Sequence, residues 1–197
     1  MAYTTVANLR TYLNVDSATD DTLLASLIAR AQKAIDSYCG HTFEAAADST
    51  RYYTVGIDTD GDTLYLDEDL CQIGTSGSII TDADATSPVT LTVSEYIFHP
   101  RNRTPYHAIE LLDTSSNDWT YTNDPHKGIS VTGRFAWSVT APDDIVHACT
   151  RLAAYFYKQK DAGVFDTTAI PDAGIIQVPQ GIPQDVKIIL NNYRKNF

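Results

Sequence analysis

The sequence predicts an α+β protein in which N- and C-terminal helices pack as a bundle and an antiparallel β lobe is inserted between them. Three observations predict it. Apolar residues recur at helical spacing as far as Gly40, alternate with a period of two from Thr50 to Thr140, and return to helical spacing from Pro142. The order helices, strands, helices is met most simply when the terminal helices pack together and the strands form a lobe of their own. The boundaries read from this pattern are 1–45 for the N-terminal helices, 46–141 for the β lobe, and 142–197 for the C-terminal helices and an arm.

The first element is a short helix in "TTVANLRTYLNV", with Val6, Leu9 and Leu13 on one face. A longer helix follows in "SATDDTLLASLIARAQKAIDSYCG", where Leu23, Leu24, Leu27, Ile28, Ala31, Ala34, Ile35 and Tyr38 make a stripe at 3.6-residue spacing. Thr19 or Asp20 is placed to cap it, Asp21 suits the positive end of its dipole, and Gly40 stops it. The period then becomes two in "RYYTV", "DTLYL", "SGSII", "VTLTV", "EYIFH", "HAIEL", "DWTYT" and "GISVTGRFAWSV". Gly, Asp, Asn and Pro clusters separate these runs, so they predict about six to eight short antiparallel strands. Helix returns in "TAPDDIVHACTRLAAYFYKQKDAG", with Pro142 at the first helical position, acids in the first turn and Lys158 and Lys160 in the last. Its buried face is Ile145, Cys149, Leu152 and Phe156. With Leu23, Leu24, Leu27, Ile28 and Ile35 these form the expected bundle core. After a loop, "VPQGIPQDVKIILNNYRKNF" reads as an extended Pro/Gly piece followed by a closing helix with Val186, Ile189, Leu190 and Tyr193 aligned. A helix of about 12 residues is marginal alone in water and has to dock.

A net charge of −11 argues against a nucleic-acid reader, because phosphate binding needs clustered Lys and Arg. It does not argue against a surface that DNA slides past. The charge is uneven: residues 44–113 hold thirteen acids against Arg51, Arg101 and Arg103, whereas 142–197 is neutral. The three cysteines, Cys39, Cys71 and Cys149, form no CxxC pair, so neither a disulfide framework nor a zinc site is suggested and a reducing compartment is expected. No apolar run is long enough for a membrane span, and no membrane partner is expected.

The stretch "GIDTDGDTLYLDED" spaces Asp58, Asp60 and Asp62 as a calcium loop does. Gly61 comes too early for an EF-hand, Asp69 replaces the closing Glu, and strand-like runs flank the segment. It is read as a hairpin turn. His99 and His107 flank "PRNRTPY", read as a solvent-facing loop whose Arg101 and Arg103 find acidic partners. No G-x-S-x-G, H-E-x-x-H, P-loop or G-x-G-x-x-G motif occurs, and Asp143 with Asp144 reads as dipole compensation rather than a catalytic dyad. No enzyme, no cofactor and no metal site is expected. Ten aromatic residues lie in the strand region, from Tyr52 to Trp137. About half should face its core and the rest are candidates for an interface. This favours assembly; the competing reading is a small-ligand or carbohydrate-binding module built on the β lobe.

The run "VANLRTYLNVDSATDDTLLASLIARAQKAIDSYCGHTF" resembles the amino-terminal signature of head–tail connector (adaptor, or head-completion) proteins of long-tailed double-stranded DNA phages. The matching residues are Leu13, Asp20, Asp21, Leu23, Leu24, Leu27, Ile28, Ala31, Ile35, Gly40 and Phe43. The Pro-led helix "PDDIVHACTRLAAYFYKQKD" is similar to the family's second landmark. The long strand region departs from the family's shorter members. The resemblance implies a virion protein without catalysis, a ring of about twelve copies beneath the portal. Such a ring extends the DNA channel without sequence-specific binding and offers a platform to the stopper or tail. It also favours a C-terminal helix that reaches a partner chain. Val186, Ile189, Leu190 and Tyr193 are then expected to bury against that partner, with Arg194 and Lys195 meeting its acids. Synthesis in the host cytoplasm and residence at the head–tail interface are the matching expectations.

Overall fold

The computed structural model describes residues 2–74, 76–162, 167–170, 174–177 and 181–195. The chain divides into two compact units, Met1–His41 with Ala141–Phe197, and Thr42–Thr140.

The first unit holds the helices α1 (Val6–Leu13), α2 (Asp21–Cys39), α3 (Asp143–Ala162) and α4 (Gln184–Asn191). Thr5 caps α1, its side chain accepting from the Asn8 amide, and Asn14 ends it in the left-handed region. Gly40 ends α2 at φ 80°, a conformation a side chain would strain. The expected side-chain cap of α2 does not form. Asp20 occupies the cap position, but its carboxylate accepts from the Tyr157 hydroxyl and pairs with Lys160 instead. Helix α3 touches α1, α2 and α4, and α4 also touches α2.

The contact stripe of α2 is Leu24, Ile28, Ala31, Ile35 and Cys39, all buried. Leu23 and Leu27, expected in this core, are only half-buried. Spacing by three and four residues puts Leu24 and Ile28 over the centre of the seam, and each preceding leucine falls a full 100° to the side. From α3 come Ile145, Cys149 and Leu152, fully buried, and Phe156 at 9% exposure, capped by the Arg30 guanidinium 4.3 Å from its ring centre. Tyr3 and Thr4 are buried ahead of α1; the Tyr3 hydroxyl donates to Asp36, and Thr150 donates to Thr4. The stretch between α3 and α4, read as a loop, contains two paired antiparallel strands, β9 (Thr167–Ile170) and β10 (Gly174–Gln177).

The second unit is an antiparallel sheet. Its strands are β1 (Ser49–Tyr53), β2 (Thr59–Asp60), β3 (Thr63–Gln72), β4 (Ser78–Thr81), β5 (Val89–Thr90), β6 (Tyr96–His99), β7 (Tyr106–Leu111) and β8 (Ile129–Phe135). Their order is β5-β4-β8-β3-β7-β6, with β1 added to β8 and β2 to β3. Strand β8 carries β1 and β4 along its first five residues and meets β3 only at Arg134 and Phe135. Gly133 sits at that transition: a Cβ there would stand 2.8 Å from the Gln72 carbonyl oxygen and 2.8 Å from a Leu70 methyl. The core packs Tyr53, Leu64, Leu70, Ile79, Tyr96, Ile109, Trp119, Ile129, Val131 and Phe135. The run "DWTYT" is not a strand. Its Trp119 indole donates to the Asp62 carbonyl, the Thr120 amide to the Thr81 hydroxyl and the Thr122 amide to Asp84, so its polar groups are satisfied outside any ladder.

Candidate interface

The C-terminal segment is placed differently from the arm that was expected. Val186 and Leu190 are fully buried within their own unit, where α4 lies on α2 and α3. Tyr193 is half-buried and its hydroxyl donates to Asp144. Arg194 lies over the Tyr38 ring, the Lys195 amide donates to the Cys39 carbonyl, and Tyr38 donates to Asn191. Ile189 is half-buried, whereas Ile188 is 60% exposed. The proposed burial of Val186 and Leu190 against a partner chain is therefore corrected. The amphipathic stripe is real, and the nearest apolar surface, α2 and α3, takes it. An ion pair from Arg151 to Asp185 ties the start of α4 to α3.

All three cysteines are buried thiols. Burial pushes Cys39 and Cys149 up to about 12, with Asp36 adding to the shift in each case. Burial also raises Asp36, against the hydrogen bond from Tyr3. Cys39 and Cys149 behave as core, consistent with their places on α2 and α3.

The acidic segment closes a tight turn, with Thr59 opposite Leu64 and Asp60 opposite Thr63, leaving Gly61 and Asp62 at the tip. Gly61 takes φ 56°. The Asp58 carboxylate accepts from the Thr54 amide, so it is spent on its own loop. In a second acidic loop, Asp84 accepts the backbone amides of Thr122, Asn123 and Asp124. Led by the Thr122 amide, these bonds hold its carboxyl down at about 2.

Charge is concentrated in the strand unit. Thr42–Thr140 holds fifteen acids and five bases, a net −10 of the chain's −11. Arg51 pairs with Glu68 at 2.6 Å and Arg134 with Asp48 at 3.3 Å. On the strands that flank the β6–β7 loop, histidines take the acids: His99 of β6 meets Glu110 of β7 at 2.5 Å, and His107 of β7 meets Asp69 of β3 at 3.2 Å. Arg101 and Arg103, expected to find acidic partners, are exposed and make no ion pair among the described residues. The aromatic residues divide as expected in kind. Tyr53, Tyr96, Trp119 and Phe135 are core, Phe98 stacks on Tyr106 at 4.5 Å, and Tyr52, Tyr65 and Tyr121 are exposed.

Comparison with known proteins bears on this arrangement. Residues 3–75 match the phage gp6-like head–tail connector family. The match runs through α1, α2 and the first strands, β1 to β3, and bears out the resemblance carried by Leu13, the Asp20–Asp21 pair and the α2 stripe. That family is structural and not a class of enzymes. No curated protein matches the chain. Among solved structures the fold is similar to a chain in the neck of an empty GTA particle computed with C6 symmetry. The identity is 16% and the TM-score 0.59, over 98% of this chain and 89% of that one. A chain of the native gene transfer agent virion matches at 17% identity and TM-score 0.57, over 98% and 89%. The neck of the native particle computed with C12 symmetry matches at 18% and 0.58, over 98% and 88%. At these identities the likeness is one of fold, and it extends through both units.

Proposed function

We propose that this chain is a head–tail connector subunit that assembles as a ring of about twelve copies on the portal, as closed cyclic symmetry allows. The ring extends the DNA channel and offers its far side to a stopper or tail protein. The observation that supports this best is the family match over residues 3–75, joined to a fold shared along 98% of the chain with neck proteins of a phage-like particle. The terminal helices supply a packed bundle. The strand unit, at net −10, supplies a surface that repels a polyanion and so lowers friction on passing DNA. The protein is made in the host cytoplasm and resides in the virion. Against a carbohydrate module, Tyr96, Phe98 and Tyr106 are spent on one another.

Electron microscopy of the purified protein, alone and mixed with purified portal, tests the reading. Rings seated on the portal are expected. A protein that stays monomeric and leaves the portal bare overturns it.

A further inference from the structure

Strands β3 and β7 run antiparallel, and this fixes which ends of the sheet their flanking loops occupy. Thr63 lies opposite Glu110, and the Leu111 amide donates to the Asp62 carbonyl, so the β2–β3 turn and the end of β7 share one end. Leu70 lies opposite Tyr106, the first residue of β7, so the β6–β7 loop with Arg101 and Arg103 stands at the other. The six residues of β7 separate the two ends by about 20 Å. The first end carries Asp60, Asp62 and, two residues past Leu111, Asp113. All three are exposed, and none makes an ion pair among the described residues. One end of the unit thus presents unpaired carboxylates and the other unpaired guanidinium groups.

We propose that the Arg101–Arg103 loop of one copy docks on the Asp60, Asp62 and Asp113 end of the strand unit of the next copy. This rests on the ring reading above and deepens it by naming a contact between neighbours. Opposite charges at opposite ends of one unit suit a head-to-tail contact, in which each copy uses both surfaces once, and a chain of such contacts closes into a ring when the rotation per copy fits. A two-fold contact would join only two copies and could not by itself build a larger ring. Guanidinium groups take carboxylates in bidentate pairs, which fix orientation as well as adding attraction. DNA is the poorer occupant, because two arginines on a unit of net −10 leave the field around it repulsive to a polyphosphate. A neighbour's carboxylates need only short-range contact.

The test is sedimentation analysis of the full chain in three charge-reversed forms: Arg101→Glu with Arg103→Glu, Asp60→Lys with Asp113→Lys, and all four together. Either pair alone should weaken self-association by about tenfold or more, since like charges are then set face to face. The fourfold variant should recover it, and wild-type association should fall as salt is raised. The substituted side chains are exposed, so melting should match the parent and exclude misfolding. Wild-type-like association of the arginine variant, or no recovery in the fourfold variant, overturns the contact. If those variants still form rings on the portal, the connector reading stands without it; if wild type forms no ring in solution or on portal, both fall. Should the arginine variant associate normally yet lose retention of double-stranded DNA on a filter, the loop is a phosphate contact and the proposal is overturned.

Discussion

Leu190→Ala is the perturbation that most directly separates a docked C-terminal helix from a free arm. Leu190 is 0% exposed on an eight-residue helix that rests on α2 and α3, with the Cys39 thiol against its carbonyl at 3.8 Å. Truncating a fully buried leucine removes its transfer free energy and leaves a cavity, together costing about 2–5 kcal/mol. In a chain of this length each kcal/mol lowers the melting temperature by about 2–4 °C, so a fall of about 4–20 °C is expected. Ile188, two residues earlier and 60% exposed, is the internal control: Ile188→Ala should stay within about 0.5 kcal/mol of the parent. Far-UV circular dichroism on heating, and chemical denaturation of the same two variants, measure the difference. Removing residues 184–197 should go further and destabilise the helical unit as a whole, because Cys39 loses its contacts with Leu190 and Lys195, and α2 and α3 lose the helix that rests on them. If Leu190→Ala melts with the parent and the truncated chain remains folded, α4 is not part of this core and the arm model returns.

On α2, Leu24→Ala should cost about 2–5 kcal/mol and the half-buried Leu27→Ala clearly less; equal losses in denaturant unfolding would mean the seam is misplaced. Asp84 has its folded carboxyl lowered from 3.8 to about 2, so its contribution is fully present above pH 3.8 and is lost as pH falls through about 2. Asp84→Asn should therefore be less stable than wild type at neutral pH, with the gap closing across that acid window; a gap that is constant with pH refutes the assignment. Cys39 and Cys149, raised to about 12 by burial, should resist a thiol reagent in native protein and react once it is unfolded. Millimolar calcium should leave the melting temperature unchanged, because Asp58 is engaged with the Thr54 amide; a rise of several degrees would restore the calcium-loop reading.

The sequence made the elements legible where pattern and packing coincide. The α2 stripe, the Gly40 stop, the Pro-led α3 and the Asp-Gly hairpin are each set by local chemistry that the final fold leaves intact. What it could not show is where an apolar face finds its partner. The stripe of α4 says that the helix docks, and nothing in its spacing says that α2 and α3 are the surface. Leu27 and Leu24 are equivalent in the pattern and differ only by a rotation that packing decides. The run "DWTYT" alternates like a strand, yet Trp119, Thr120 and Thr122 satisfy their polar groups through loops of other elements. Tyr3 and Thr4 lie ahead of the first periodic residue, so their burial had no periodic signal. The arginine loop was legible as exposed, but the flanking His99 and His107 take Glu110 and Asp69 while Arg101 and Arg103 make no ion pair among the described residues, an outcome that depends on the register of β3, β6 and β7.

The distribution of charge sets the physical problem that the proposed ring has to solve. A channel wall works better when it repels DNA, and in the proposed ring the net −10 of the strand unit suits that role. The same charge makes neighbouring copies repel one another, and the repulsion grows as copies are brought into a closed assembly. At physiological ionic strength, screening confines it to about 8 Å, so what matters is the pairing where neighbours touch, not the total. In the proposed contact, the two arginines at one end of the unit meet Asp60, Asp62 and Asp113, unpaired at the other, which makes that contact attractive while the unit stays acidic. Such a contact should be the most salt-sensitive part of the assembly. Apolar burial on the helices gains strength in sulfate, whereas the charged ends lose it. Ring stability measured across sodium chloride and sodium sulfate at matched ionic strength should then separate the two contributions. An assembly whose stability does not fall as sodium chloride is raised would place the contacts between copies elsewhere.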